Sequence, residues 1–437
     1  MKNIGRYRYF IAVLLFVAGA INYIDRSALG IVAPIIDKEF GLSPSQLGII
    51  YSAFFVGYAI FAFVGGHLAD RYGPRRVFSV AMGSWSILCG LTATVTGFGS
   101  LLIFRGLFGF AEGPMNSVMN KTVGNWFSRS ETSTILGFAF SGQTVGAAIA
   151  GPVVGLLALN FSWRIAFVFV ASVGLVWIIA WRLLMTDKPA DNHRVSAIEL
   201  EFIEQNREAL RAEIDGGETK SLRAYLIRPS TLALAMGLFS TSYTLFVFIS
   251  WLPSYFVNEL HLDVAEMSFM TVIPWAFGGI GYFFGGIFSD IFFRKMKSKL
   301  MARKLPAVLL LALSGAMLVG VSVVHTIMLA VLLIALAVMF LTSATQACFA
   351  MMHELIPANR LGGVTGFIHL ISNLAGILSP AMMGFVVQYF HGYSGGFVAG
   401  AVVDLIGVLA MAIFIRPEKH RETLSDALPD ELPPVTE

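Results

Sequence analysis

Long stretches of apolar residues, each sufficient to cross a lipid bilayer, restrict the folds open to this chain more than any other feature. A crossing takes roughly 20 residues at about 1.5 Å of helical rise each. Inside lipid every backbone N–H and C=O must find its partner within the segment, so each stretch is a helix. Six candidate spans come first: Phe10 to Ile36, Leu47 to Ala69, Val77 to Phe98, Leu101 to Val123, Thr134 to Leu159 and Trp163 to Met185. After a polar interval come Ser230 to Val257, Met267 to Phe288, Ala307 to Val324, Thr326 to Leu355, Val364 to Phe390 and Phe397 to Ile415. The expectation is an all-α membrane protein of about twelve transmembrane helices, in keeping with 56% hydrophobic against 13% charged residues.

The start, MKNIGRYRYF, has the basic flank of a secretory signal in Lys2, Arg6 and Arg8, but the apolar run continues past signal length and reads as a retained first span. Cys89 and Cys348 lie far apart inside apolar spans, which fits neither a disulfide framework nor a metal cluster and makes them packing residues. In the polar interval, Ser196 and Glu199 form a capping-box pattern ahead of an amphipathic helix, followed by a turn at Gly216 and Gly217. Its charge pattern is that of a solvated connector. The expected plan is a six-helix bundle over 1–186, a cytoplasmic linker over 187–228, a second six-helix bundle over 229–416 and a cytoplasmic tail over 417–437.

With the N-terminus inside, Arg71, Arg75, Arg76, Arg129, Lys188, Arg194, Arg294, Lys295, Lys297, Lys299, Arg303, Lys304 and Arg416 all fall in cytoplasmic segments, whereas the outer loops hold little beyond Lys38 and Arg164. The bias of Lys and Arg toward the cytoplasm places both termini there, in a cytoplasmic (inner) membrane. The net charge of +3 reflects this bias and implies no nucleic-acid partner.

An internal echo sets the architecture. GGHLADRYGPRR follows the second span and GGIFSDIFFRK the eighth at the same phase, pairing Gly66 with Gly286 and Asp70 with Asp290. Two parallel six-helix halves explain it. Gly66 is expected to let neighbouring helix ends approach, and Asp70, among basic groups, to join a charge cluster that breaks when the halves rock. Topological anchoring alone accounts for Arg75 and Arg76 but not for the repeated Gly and Asp.

GHLADRYGPRR resembles the signature loop between helices two and three of the major facilitator superfamily, and span number, duplication and central linker match that plan along almost the whole chain. The resemblance makes Gly66, Asp70, Arg71, Gly73, Arg75, Gly286 and Asp290 gating-motif positions. NYIDR (Asn22 to Arg26), FRGLFGFAEGP (Phe104 to Pro114), SGQTVG (Ser141 to Gly146) and SWLPSYF (Ser250 to Phe256) are similar to the anion:cation symporters, which include bacterial sugar-acid permeases and, more distantly, vesicular and lysosomal organic-anion transporters.

A charge at the bilayer centre costs a few kcal/mol, so ionisable residues within spans point to a polar pathway. Asp25 and Arg26 lie in the first span, Arg105 and Glu112 in the fourth. Arg105 and Glu112 are two helical turns apart, about 10.5 Å, and share one face. Asp25 and Glu112 both fall roughly 16 Å below the outer surface, near the midplane. Carboxylates so placed can gain and lose protons as their surroundings change, while arginine stays charged and can hold a carboxylate through paired hydrogen bonds. With Asp25 and Glu112 protonated, Arg26 and Arg105 lack full internal partners and a substrate carboxylate takes that place; proton loss then restores the internal pairs and expels the anion. The resemblance gives the same roles, proton sites at Asp25 and Glu112 and anion sites at Arg26 and Arg105. The alternative is a pair of structural salt bridges fastening the first and fourth helices.

Tyr58 and Gln143 match family positions that meet substrate hydroxyls, and both supply directional hydrogen bonds; either can instead be an interhelical contact. Gln346 and Asn373 lie about 13 Å from the inner face and can cap the far end of a substrate. The family pattern breaks nearby, since Phe349 and His369 stand where sugar-acid members carry tryptophan and asparagine, which opens the site to a less hydroxylated acid. In WFSRSET, Thr132 replaces the family's arginine after Glu131, which puts the cytoplasmic latch in question. Asp404 stands inside the twelfth span with no partner legible in the sequence. The 37 phenylalanines read as lipid-facing and core packing rather than as a stacking platform.

The expected function is proton-coupled import of a small organic anion, a hexonate, hexuronate or aldarate, by a monomer without cofactor or metal. Another carboxylate such as tartrate or an aromatic acid is the alternative, and a non-transporting membrane sensor a further one. An enzyme finds no support, because the chain has no clustered His and Cys ligands, no GxSxG elbow and no phosphate-cradling loop.

Overall fold

The computed structural model describes residues 6–204, 221–296, 298–324 and 326–416, without the side chains at 63, 129, 130, 133, 286–290, 292–295, 358 and 359. Gly216, Gly217, Lys297 and the tail after Arg416 lie outside the described residues, and of Gly286 and Asp290 only the helical backbone is described. Among the described residues the regular elements are helices. The first half comprises α1 (Tyr7–Phe40), α2 (Pro44–Tyr72), α3 (Pro74–Leu91), α4 (Phe98–Glu112), α5 (Met115–Trp126), α6 (Arg129–Asn160) and α7 (Trp163–Leu184). After a short α8 (Leu222–Leu226) come α9 (Pro229–Asn258), α10 (Val264–Met270), α11 (Val272–Lys295), α12 (Lys299–Val323), α13 (Ile327–Leu355), α14 (Ala358–Phe390) and α15 (Ser394–Phe414).

Local chemistry explains the turns. α1 stops where Gly41 takes the left-handed conformation, φ 64°, a state glycine enters without a Cβ penalty. Two residues on, the Ser43 hydroxyl accepts from the Gln46 amide at 3.3 Å while Gln46 Oε1 accepts from the Ser43 amide at 2.9 Å. This capping box, with Pro44 as first helical residue, starts α2. Asp263 and Glu266 start α10 in the same way.

Among the described residues 11 helical segments are long and apolar enough to cross a membrane, one fewer than the sequence reading. The difference is the fourth span, which is two helices laid end to end against α2. Pro114 has no N–H to return to the carbonyl four residues back. Gly113 presses so closely on α2 that a Cβ there would stand 2.8 Å from the Ala62 nitrogen and 2.9 Å from the Tyr58 carbonyl oxygen. The break thus leaves Glu112 as the last residue of α4.

Small residues set the helix contacts, as packing in lipid favours. A Cβ on Gly109 would lie 1.9 Å from the Phe54 carbonyl oxygen, and one on Gly142 2.1 Å from that of Phe16. FRGLFGFAEGP is therefore two-faced, with Gly106, Gly109 and Gly113 seated against α2 and Arg105 and Glu112 on another side. In the loop motif the tight approach falls on Gly65, where a Cβ would be 2.5 Å from the Pro114 Cα; at Gly66 the nearest neighbour is Ser117 at an ordinary 3.7 Å. That corrects the expectation placed on Gly66.

The halves meet through α1 on α9, α2 on α14, and α6 on α10 and α11. Their close contacts gather at the end of the bundle away from the termini. A Cβ on Gly48 would lie 2.6 Å from the Pro380 carbonyl oxygen, one on Gly30 2.8 Å from that of Ile249, and one on Gly151 2.4 Å from that of Ser268. Tyr51 meets Trp251 edge-on at 5.6 Å, and Phe55 meets Phe246 at 4.3 Å. Toward the other end, Gly137 on α6 and Gly362 and Gly366 on α14 have open space where a Cβ would stand. The bundle is closed far from the termini and looser near them. Overpacking a tight contact costs about 1–3 kcal/mol, so Gly48→Val is expected to disfavour this closure and raise maleimide labelling of a Ser379→Cys probe about tenfold in vesicles. An unchanged labelling rate would show that Gly48 does not hold the gate.

Candidate functional site

Behind that closed end four ionisable side chains of the first half are buried together, Asp25, Arg26, Arg105 and Glu112. Nε of Arg26 donates to Oε1 of Glu112 at 3.0 Å, and Nη2 donates to the same oxygen. Oε2 of Glu112 has no partner. Arg105 Nη2 donates to the main-chain oxygen of Arg26 at 3.2 Å, and its Nε is unpaired. The two cations are thus not equivalent: Arg26 is neutralised by a carboxylate, whereas the described bond of Arg105 goes to a neutral carbonyl. Asp25 is turned to α3, where Trp85 Nε1 donates to Oδ2 at 3.0 Å and the Cys89 thiol lies 3.6 Å from Oδ1.

Aromatic rings surround the guanidinium groups. Arg26 stands 4.9 Å from the Phe54 ring centre, 5.0 Å from Tyr23 and 5.1 Å from Tyr58, and Arg105 stands 5.2 Å from both Phe54 and Phe108. Such contacts contribute about 0.5–1 kcal/mol at exposed sites and about 2 kcal/mol or more when desolvated. These rings belong to the buried core, as the sequence reading had it, and in addition pack against charge. Phe54, Phe55 and Tyr58 lie within about one helical turn on α2, but sequence does not tell such a stripe from an ordinary core face. Trp85 had no sequence signal at all. Arg26, Arg105, Tyr51, Phe54 and Phe55, with Ile249 and Ser250 of the second half, line a cavity of ≈ 10 Å³, room for about one water.

Tyr58 is buried, and its hydroxyl accepts from Asn116 Nδ2 at 3.0 Å. Gln143 is half-buried on α6 beside Gly19 of α1. Gln346 and Asn373 are half-buried on α13 and α14, and the Asn373 amide donates to the His369 carbonyl at 2.9 Å. Phe349 and His369 face each other across α13 and α14, ring centres 5.6 Å apart.

At the terminus end Asp70 pairs with Lys121 of α5 at 2.7 Å, and Arg71 lies against the Tyr72 ring at 5.3 Å. Gly73, φ 82°, leaves room for Asp187, whose Oδ1 accepts from the Arg75 amide at 2.8 Å. The Arg75 guanidinium donates to the Arg182 carbonyl. Glu131, without an arginine beside it in sequence, receives one from α1: Arg8 lies 3.1 Å from Glu131 and 3.2 Å from Glu199. Ser196 caps the Glu199 amide at 3.2 Å, but the Glu199 carboxylate faces α1, accepting from the amides of Tyr7 and Arg8. Asp404 is fully buried, with Thr244 Oγ1 donating to Oδ1 and Ser314 Oγ to Oδ2, both at 3.2 Å.

Comparison with known proteins places this arrangement. The chain is 40% identical over 410 residues to a hexuronate transporter of Bacillus subtilis (strain 168), covering 93% of this chain and 94% of the relative. It is 27% identical over 414 residues to a probable L-galactonate transporter of Escherichia coli (strain K12), covering 95% and 90%. Among solved structures, a bacterial homolog of the human lysosomal transporter Spinster, inward-facing and occupied, superposes with a TM-score of 0.75 at 18% identity, covering 94% of this chain and 97% of that one. A D-xylose-proton symporter gives 0.74 at 15% identity, covering 94% and 98%. The sequence pattern of the Major Facilitator Superfamily matches residues 15–346 and again 296–437. By that match along both halves, and by the 40% identity to a relative of nearly equal extent, the chain belongs to the Major Facilitator Superfamily.

Proposed function

We propose that the protein is a proton-coupled symporter that imports a hexuronate or a closely related sugar acid by alternating access. The carrying observation is Arg105, a buried cation on the small cavity lined by both halves, with an unpaired Nε and a neutral carbonyl as its described partner. A permanent charge so placed is completed by an anion, and a planar carboxylate fits the guanidinium fork. The hexuronate and galactonate transporters among its relatives handle acids of that chemistry.

The cycle follows from charge balance. Protonation of Glu112 releases Arg26, and the two arginines then hold the substrate carboxylate, with Tyr58, Gln143, Gln346 and Asn373 meeting its hydroxyls. When the cavity opens at the terminus end, Glu112 loses its proton and recovers Arg26, and the anion is displaced. The Arg26–Glu112 pair in a bundle closed at the opposite end supports this order, since it is the pairing required of the emptied state. Asp25, the other fully buried carboxylate of the first half, is the second proton site. The termini and the loop charges lie on the cytoplasmic side of the inner membrane, residues 1–186 and 229–416 rock about the linker 187–228, and the monomer is the working unit.

Counterflow of labelled sugar acids in proteoliposomes tests the substrate. Arg105→Ala is expected to weaken binding by about 2–5 kcal/mol, at least a thirtyfold higher half-saturation; neutral sugars competing better than every acid would sink the assignment. Glu112→Gln, fixed in the neutral form, is expected to keep exchange and to lose accumulation driven by a pH gradient. Accumulation at the unsubstituted level in that variant would remove Glu112 from the coupling.

A further inference from the structure

Asn22 belongs to the NYIDR run, yet the scheme above gives it no part. Its side chain is wholly buried, and neither Nδ2 nor Oδ1 has a hydrogen-bond partner. Buried amides are almost always satisfied, by protein or by ordered water, so an Asn with both ends unpaired marks a place where a small polar molecule binds.

Its position says what that molecule would connect. With 3.6 residues per turn, Asp25 lies about 60° to one side of Asn22 around α1 and Arg26 about 40° to the other, each within about one turn along the axis. Asp25 leans to Trp85 on α3, and Arg26 reaches Glu112 on α4. Asn22 therefore lies on the strip of α1 between Asp25 and Arg26, the residue that reaches Glu112. The other acid offers a matching loose end, because both described bonds from Arg26 go to Oε1 of Glu112 and leave Oε2 buried and unpaired. Charged and titratable groups around this strip are Arg26, Tyr23, Tyr58, Cys89, Arg105 and Glu112.

We infer that Asn22 is a positioning residue for the proton, its amide holding one water molecule between Asp25 and Oε2 of Glu112. The amide suits this task because it both donates and accepts and does not itself titrate. In the transfer, the Asp25 carboxyl gives its proton to the water while the water gives one of its own to Glu112 Oε2. The O–H bond of Asp25 breaks, that of Glu112 forms, and the water is restored. Glu112 then lets go of Arg26, so the proton reaches the anion site without crossing the substrate's space.

The inference rests on the proton-symport reading, and one set of measurements separates the two. In proteoliposomes with glucuronate as probe, Asn22→Leu, similar in size, is expected to keep counterflow within about twofold while losing about tenfold in pH-gradient-driven accumulation. Its uptake should also lose the pH dependence of the parent protein. Asn22→Ser and Asn22→Ala differ by one hydroxyl, and accumulation should be higher in the serine variant; this pair decides the matter if the leucine variant fails to insert. Equal accumulation in Ser and Ala variants, an unaltered pH profile in Asn22→Leu, or equal losses of counterflow and accumulation would each overturn the role of Asn22. Exchange without any gradient-driven accumulation in the unsubstituted protein would overturn proton symport itself.

Discussion

The contact between Arg26 and Glu112 is the interaction on which the rest of this structure depends. An arginine in the middle of a bilayer is tolerable only if its charge is answered, and here one carboxylate oxygen takes both described bonds. That choice leaves Arg105 with a main-chain carbonyl for its described bond and Asp25 with an indole and a thiol. The four charges are therefore not two closed pairs. One cation and one acid are left incompletely answered inside the protein, and a proton and an anion are the species able to answer them.

Much of this was legible in the sequence, for reasons that can be named. Arg105 and Glu112 fall seven residues apart on one helix, and the rise per residue fixes their relation without any tertiary information. The depth argument that matched the first and fourth spans likewise uses only helical geometry, and Arg26 does reach Glu112. What sequence does not carry is rotation about each helix axis. Asp25 and Arg26 are neighbours in the chain, yet one faces α3 and the other α4. The partners of Asp404 were hidden for the same reason, since Thr244 and Ser314 sit on α9 and α12, 160 and 90 residues away.

The terminus end shows how a local reading can miss a substitution made elsewhere. Glu131 is followed by Thr132 and not by an arginine, but Arg8 reaches it from the start of α1 and shares itself with Glu199. The beginning of the linker is thereby tied to the first half, while Leu222 of α8 packs on Gly363 of α14 in the second. Buried ion pairs that lose a partner are costly, so the cluster anchors this stretch to the first half.

Charge pairing and closure are carried by the same residues. Phe54 and Phe55 lie under the Arg26 guanidinium, and Phe55 also packs on Phe246 and on Gly376 of the second half. Gly30, one turn beyond Arg26 on α1, touches the α9 backbone at Ile249. A change in what Arg26 binds therefore acts directly on the side chains and helix that seal the far end, with no long chain of intermediates. Close-packed contacts of this kind have discrete arrangements rather than a continuum. A ligand shifts such an equilibrium only by its difference in affinity for the two states. In the cycle proposed above that difference has a physical source, since a proton on Glu112 and a carboxylate on Arg105 would each change the charge that the seal is built around.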